Sequence, residues 1–497
     1  MLYTSTRDKN VRVTSAQAIA QGISSDGGLF VPESIPQIDS AFIDSLVGLD
    51  YISRAKKVLA LYLTDYTEEE IDYCVSGAYA EGKFSSEKVS PINTIAKGEN
   101  ILELWRGPTC AFKDMALQLL PYLLTTAVKK IKLDKTVVIL VATSGDTGKA
   151  ALEGFKDVEG TKIMVFYPDD GVSPMQKLQM TTQAGENVAV CAINGNFDDA
   201  QSGVKKIFTD KAVAEKLAAK GMMFSSANSI NWGRLVPQIV YYISAYCDLI
   251  ENGTIKNGDE INVVVPTGNF GNILAAYYAK KMGIPVKKLI CASNANNVLT
   301  DFLKTGVYDK NRRFFTTTSP SMDILISSNL ERLLFHLCGE DDVTVKGWME
   351  SLACDGKYEV SEKVKELVFS LFDAGYCDDE ITAATISETY KNGYLCDTHT
   401  AVAVNVYREY VKATGDTTEA VIASTANPYK FSAAVLKAVK GEIPENADEF
   451  DQVELLIEET GAECPSQLAT LKGKEPRFTA CCEKEEMIEM VYKMLGV

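Results

Sequence analysis

TVVILVATSGDTGKAALEGF, residues 136–155, decides how the rest of the chain is read. A β-branched and aliphatic run gives way, across a turn with two glycines, to a segment whose apolar residues return at helical spacing. That is one βα unit. Working outward, the same alternation recurs: KIMVFY (162–167) before PMQKLQMTT (174–182), VAVCAI (188–193) before AQSGVKKIF (200–208), and INVVVP (261–266) before ILAAYYAKKM (273–282). KLICAS (288–293) precedes NNVLTDFL (296–303), and AVIAST (420–425) precedes KFSAAVLKAVK (430–440). Repeated βα units predict an α/β fold with parallel sheet and helices on both faces, and ligands then sit in the turns that follow the strands.

The first ninety or so residues read differently, as helical segments (DSAFIDSLVGL, YISRAKKVLALYL, EEEIDYCVSGAYAEG) behind a Gly- and Asp-rich loop, ISSDGGLFVPESIP. The tail opens on an acidic, Pro-containing stretch, GEIPENADEFD, and closes on the helix-like CEKEEMIEMVYKMLGV. The predicted organisation is an N-terminal domain over 1–92, a catalytic domain over 93–440 and a C-terminal extension over 441–497.

Among 497 residues, 67 acidic and 50 basic ones give a formal charge of −17, which repels phosphate backbones and anionic membranes. No nucleic-acid or membrane partner is expected, and a phosphate ligand must be caught by local geometry. No apolar run approaches the roughly 20 residues of a membrane span, and MLYTSTRDKNVRV lacks a secretory apolar core, so a soluble, cytoplasmic protein is expected. None of the 12 cysteines lies in a CxxC pair and the only histidines are His336 and His399, so neither a metal centre nor a serine–histidine nucleophile is expected.

Three strand-end turns stand out. TSGDTG (143–148) and PTGNFGN (266–272) let backbone amides approach an anion closely, and each leads into a helix whose N-terminus favours negative charge. Neither has a Walker lysine or a dinucleotide fingerprint. STANPYKF (424–431) offers the neutral hydroxyls of Ser424 and Thr425. A fourth stretch, GPTCAFKDM (107–115), sets Lys113 among apolar neighbours; a buried ammonium must lower its pKa, find a partner or form a covalent bond. The ordinary alternatives are a pair with Asp114 or a side chain that snorkels to solvent. One ligand accounts for all four stretches: pyridoxal 5′-phosphate, whose aldehyde condenses with a lysine, whose phosphate wants an amide cradle and whose ring nitrogen wants a partner.

GPTCAFKDMALQ, ATSGDTG, NSINWGRLVPQIVYY, TGNFGN and STANPYKF, with the opening YTSTR and SSDGGLFVPESIP, together resemble the threonine synthase family of the tryptophan-synthase-β-like, fold type II class. The resemblance covers the chain from its first residues to at least residue 431. It implies two parallel-sheet βα lobes, the smaller over about 136–225, plus a helical N-terminal domain. By the same resemblance Lys113 carries the Schiff base, Gly268, Asn269, Phe270, Gly271 and Asn272 hold the cofactor phosphate, and Thr425 faces the pyridine nitrogen. Thr143, Ser144, Asp146, Thr147, Asn228, Ser229 and Arg234 become candidates for holding substrate. Two departures are visible: Asn427 and Tyr429 stand where the family usually has His and Ala. Asp146 poses a further question, because a carboxylate beside the cofactor's phenolate oxygen is repulsive unless protonated or turned away. The implied reaction converts O-phospho-L-homoserine and water to L-threonine and phosphate. The rivals are a phospho-lyase releasing a keto acid, a dehydratase or cysteine-synthase-like enzyme, and a non-enzymatic nucleotide-binding module.

Overall fold

The computed structural model describes residues 1–143, 145–169 and 172–497, Asp198 by its backbone alone. Two sheets organise it. The larger runs Phe372–Tyr376, Val286–Ser293, Ile261–Pro266, Ala420–Ser424, Glu99–Glu103 and Ile92–Ala96, parallel except for the last strand, which is an antiparallel edge. The smaller is parallel throughout and runs Cys481–Glu483, Val188–Asn194, Thr161–Pro168, Thr136–Ala142 and Met222–Ser225. Ile261–Pro266 and Ala420–Ser424 are buried at every residue, the expected state of central strands covered by helices on both faces.

The helix Trp232–Glu251 is apolar nearly all round and buried along almost its whole length, so it packs as a central pillar. It contacts the helices Tyr51–Tyr62 and Gly271–Met282 and the short turn Asp114–Leu117. Its first residue, Trp232, is locked edge-on by Tyr3 and Tyr278, with Tyr62 tilted against it, which fixes where the pillar begins.

Two differences from the sequence reading have simple causes. The N-terminal region is helical, but it also holds a three-stranded antiparallel sheet of Asp8–Val13, Tyr3–Ser5 and Phe30–Pro32. Two of its strands have three residues each, too few for alternation to register. In the tail, Cys481–Glu483 adds an edge strand to the smaller sheet beside the expected terminal helix, Met487–Leu495. Among the described residues, no helix is long and apolar enough to cross a membrane.

Candidate functional site

The three turns converge on Lys113, and their meeting point is the cleft: Asp146, after Thr136–Ala142, lies 3.6 Å from Lys113 Nζ, Thr425, after Ala420–Ser424, accepts from the Phe112 amide, and Ser321, 3.4 Å from Nζ, backs onto Gly268 in the turn after Ile261–Pro266. The segment after Ala420–Ser424 runs antiparallel to residues 110–112: the Phe112 amide donates to the Thr425 carbonyl at 2.8 Å, and the Asn427 amide donates to the Cys110 carbonyl at 3.0 Å. Thr425 is thereby buried directly beside the residue that precedes Lys113.

Asp114 does not pair with Lys113. It turns back to accept from the Thr109 amide at 2.8 Å and the Thr109 hydroxyl at 2.7 Å, closing the GPTCAF turn. Gly107 permits this, since a Cβ there would sit 2.5 Å from the Asp114 Cβ. Burial pushes the Asp114 carboxyl up to about 6, although the Thr109 hydrogen bonds oppose that rise. Nor does Lys113 snorkel: its side chain is 11% exposed, with Nζ 3.4 Å from the Ser321 hydroxyl, 3.6 Å from Asp146 Oδ2 and 5.2 Å from the Phe112 ring centre. Burial lowers its pKa, Asp146 opposes that, and the positive charges of Lys430 and Arg234 lower it further.

Asp146 begins the helix Asp146–Phe155. Its Oδ1 accepts from Lys430 Nζ at 2.7 Å and Gln176 Nε2 at 3.1 Å. Burial alone would raise this carboxyl; the Lys430 and Lys113 ammoniums outweigh it and hold it well below the usual carboxylate range. Asp146 is therefore an anion fixed by cations. The Thr143 hydroxyl accepts from the Gly145 and Gly148 amides at 3.0 and 2.9 Å and so closes its own turn. Thr147 is half-buried at the second helical position, and Ser144 lies outside the described residues.

The turn over 268–272 remains open. Phe270 adopts left-handed φ of 63° and Cys110 φ of 60°, conformations that cost on the order of 1 to 3 kcal/mol each and gather at functional sites. The helix Gly271–Met282 starts here, so its first-turn amides point outward without intrahelical partners. Asn272 Oδ1 accepts from the Tyr241 hydroxyl at 2.8 Å and from Tyr242, while its buried Nδ2 finds no partner among the described residues. A Cβ on Gly271 would meet the Asn329 and Gln238 side chains at ordinary contact, 3.5 and 3.7 Å, so the turn would take one without a clash. Free amides and a buried unpartnered donor fit the phosphate of pyridoxal phosphate.

Arg234 lies one helical turn before Gln238, which borders Gly271. It is buried, Nη1 donates to the Ala227 carbonyl at 2.5 Å, and Nε has no partner. Burial lowers it to about 10, and no carboxylate pairs with it among the described residues. Asn228 and Ser229, half-buried, precede it in the same loop, which Asn231 anchors through Nδ2 to the Ile19 and Ser226 carbonyls at 3.1 and 2.8 Å.

The two departures at 427 and 429 serve packing. Asn427 Oδ1 accepts from the Tyr429 amide at 3.0 Å, and the Tyr429 hydroxyl donates to the Ala462 carbonyl at 2.6 Å, outside the cleft.

Sequence reading overlooked Lys430, Gln176, Ser321 and His399. Lys430 lies within STANPYKF (424–431), between Tyr429 and Phe431, and its aromatic flanks carry the same signal as the apolar neighbours of Lys113. His399 Nδ1 lies 2.7 Å from Asp397, and its Nε2 accepts from the Ser321 backbone amide at 3.2 Å, so the imidazole holds the 3-10 turn Pro320–Met322 in place.

Comparison with known proteins agrees with this arrangement. Residues 2–79 match the family model for the threonine synthase N terminus, 101–425 that for pyridoxal-phosphate-dependent enzymes and 400–491 that for the threonine synthase C-terminal region. Threonine synthase from Pseudomonas aeruginosa is 38% identical over 95% of this chain and 97% of its own length. Human threonine synthase-like 1 is 41% identical over 86% of this chain, which spans 58% of that relative's length. The crystal structure of pyridoxal-phosphate-bound threonine synthase from Brucella melitensis superposes with a TM-score of 0.88 at 37% identity, covering 99% of both chains. Fold, site geometry and all three family matches lead to one assignment: the chain belongs to the threonine synthase family of pyridoxal-phosphate-dependent enzymes.

Proposed function

We propose that the chain is a threonine synthase, converting O-phospho-L-homoserine and water to L-threonine and phosphate. The observation that carries the reading is the meeting, in one cleft, of a buried lysine, an open amide turn, a neutral strand-end hydroxyl and an arginine without a carboxylate partner. Pyridoxal phosphate supplies an aldehyde that condenses with amines and a conjugated ring that draws electrons from neighbouring bonds.

In this reading Lys113 binds the cofactor and, freed by the incoming amine, works as one mobile base. It removes the α proton and then a β proton; the C–O bond at γ breaks and phosphate leaves with the electron pair. Lys113 then returns a proton at γ, the oxygen of water bonds at β as its proton is taken up, and a proton returned at α completes threonine. The long Lys113 arm, held by the Ser321 hydroxyl and Asp146, suits successive transfers. The amides and side chain of 268–272 hold the cofactor phosphate. Thr425 meets the ring nitrogen with a neutral hydroxyl, leaving the nitrogen largely unprotonated and favouring control over where protons go. Arg234 grips the substrate phosphate, with Asn228, Ser229 and Thr147 completing the pocket; Thr143 contributes by holding the turn.

The second reading is a phospho-lyase, which would use the same lysine and phosphate site but omit water addition and release a keto acid. Incubating the purified protein with O-phosphohomoserine and identifying both products decides between them. Equimolar threonine and phosphate are expected; phosphate with keto acid gives the second reading, and no phosphate release overturns both.

A further inference from the structure

We propose that Lys430 is the permanent counter-ion of Asp146 and, through it, a positioning residue for Lys113. It keeps the carboxylate charged and fixed while Lys113 gives up and regains its proton. The proposal deepens the reading of Lys113 as the cofactor lysine and rests on it.

Lys430 arrives from the larger sheet, just after Ala420–Ser424, with its side chain fully buried. Its Nζ donates to Asp146 Oδ1 at 2.7 Å and to the Thr109 carbonyl at 2.9 Å. Asp146 arrives from the smaller sheet, and its other oxygen lies 3.6 Å from Lys113 Nζ. The three charges therefore stand in the order Lys113, Asp146, Lys430 across the cleft, with Gln176 as the carboxylate's neutral partner at 3.1 Å.

A lysine that attacks an aldehyde or moves protons must be a neutral amine for part of its cycle. If Asp146 had Lys113 as its sole partner, each loss of that proton would strand a buried carboxylate, a state far costlier than the pair. Asp146 would then hold the amine charged and slow it, or take the proton itself. Lys430 removes this conflict. Its contact with Asp146 is closer than that of Lys113, it is anchored independently on Thr109, and its own charge disfavours a second ammonium nearby. The charged groups facing Asp146 are thus Lys430 and Lys113. Arg234 adds positive charge near Lys113, and Asp114 is spent on Thr109 behind Lys430.

The test compares the visible absorption band of bound cofactor, titrated with pH, in the parent holoenzyme, in Lys430→Met and in the double variant Lys430→Met/Asp146→Asn. Losing the cation favours the protonated state at Lys113, so the midpoint in Lys430→Met is expected to rise by about one to three pH units. Removing both charges is expected to bring it back toward the parent value. A folded Lys430→Met holoenzyme with the parental midpoint overturns the proposal. If Lys430→Met fails to fold or to load, the double variant decides. Recovery with a near-parental midpoint supports the proposal, and continued failure overturns it by assigning Lys430 to its Thr109 bond alone. Borohydride reduction and peptide mapping of the parent test the underlying reading separately. A pyridoxyl group away from Lys113 sinks that reading whatever the variants do.

Discussion

TSGDTG and PTGNFGN are two glycine-rich turns, each following a buried parallel strand and opening a helix, and in the sequence they look equivalent. In the structure they behave oppositely. The first closes on itself, because the Thr143 hydroxyl takes the Gly145 and Gly148 amides, and its one charge, Asp146, is held by Lys430 and Lys113. The second stays open: its helix-start amides face outward, and Asn272 Nδ2 is buried without a partner. The difference lies in one side chain. A threonine at the strand end can fold back on the following amides; in the second turn Thr267 instead donates to the Val265 carbonyl at 2.7 Å, two residues earlier, and leaves the turn free. A glycine-rich turn is therefore a candidate anion site only if its own hydroxyls are engaged elsewhere.

The contrast can be broken most severely at Gly271. A Cβ there meets Asn329 and Gln238 only at ordinary contact distance, so the chain should fold, but the γ methyls of valine crowd the first-turn amides. Losing two amide-to-phosphate bonds at about 1.5 to 3 kcal/mol each gives a loss of roughly a hundredfold or more in cofactor affinity, read by equilibrium dialysis. Unchanged retention would move the phosphate site elsewhere.

Arg234 extends the comparison to the substrate. Arg234→Ala is expected to lower kcat/KM by roughly ten- to more than a hundredfold with the cofactor still bound, since one charge-assisted hydrogen bond contributes about 1.5 to 3 kcal/mol. Arg234→Lys should recover part of this, keeping the charge without the fork. Near-parental phosphate release by Arg234→Ala would make the residue structural.

The closed turn should answer in stability before binding. Thr143→Val strands two amides at a cost of about 1 to 3 kcal/mol, visible in denaturant unfolding, with cofactor affinity much less affected than in Gly271→Val. The reverse pattern would erase the distinction between the turns.

The smallest effect expected is in pH dependence, at the neighbouring GPTCAF turn. Asp114 has a folded-state pKa raised to about 6, above its unfolded value near 4. The folded chain then binds more protons in that window, so this residue's contribution to stability falls as pH rises through it. Asp114→Asn should flatten that part of the profile in unfolding measured from pH 4 to 7.

What the sequence disclosed follows from what is local. The βα repeats are contiguous, and Lys113 and the turn at 268–272 each carry their signal in a few adjacent residues. Arrangements that need two distant segments were not visible. Asp146 left open whether it was protonated or turned away; the answer is a lysine from another sheet. Asp114 suggested a partner for Lys113 because it is adjacent, but adjacent helical residues do not face each other, and Thr109 claimed it. Ser321 entered the site from a loop with no periodic pattern of its own.

The edge strand Cys481–Glu483 has a consequence for how the chain is born. Its buried Cys482 meets Cys191 across a sequence separation of 291. At about 5 to 20 residues added per second, a ribosome needs roughly 15 to 60 s to supply that strand after Val188–Asn194 has emerged. During this interval the nascent smaller lobe presents a bare β edge of apolar character, the kind of surface that invites another chain to pair with it. Cys481–Glu483 is thus the strand that ends this exposure, and slow translation through residues 194–480 would lengthen the period in which chaperones must guard it.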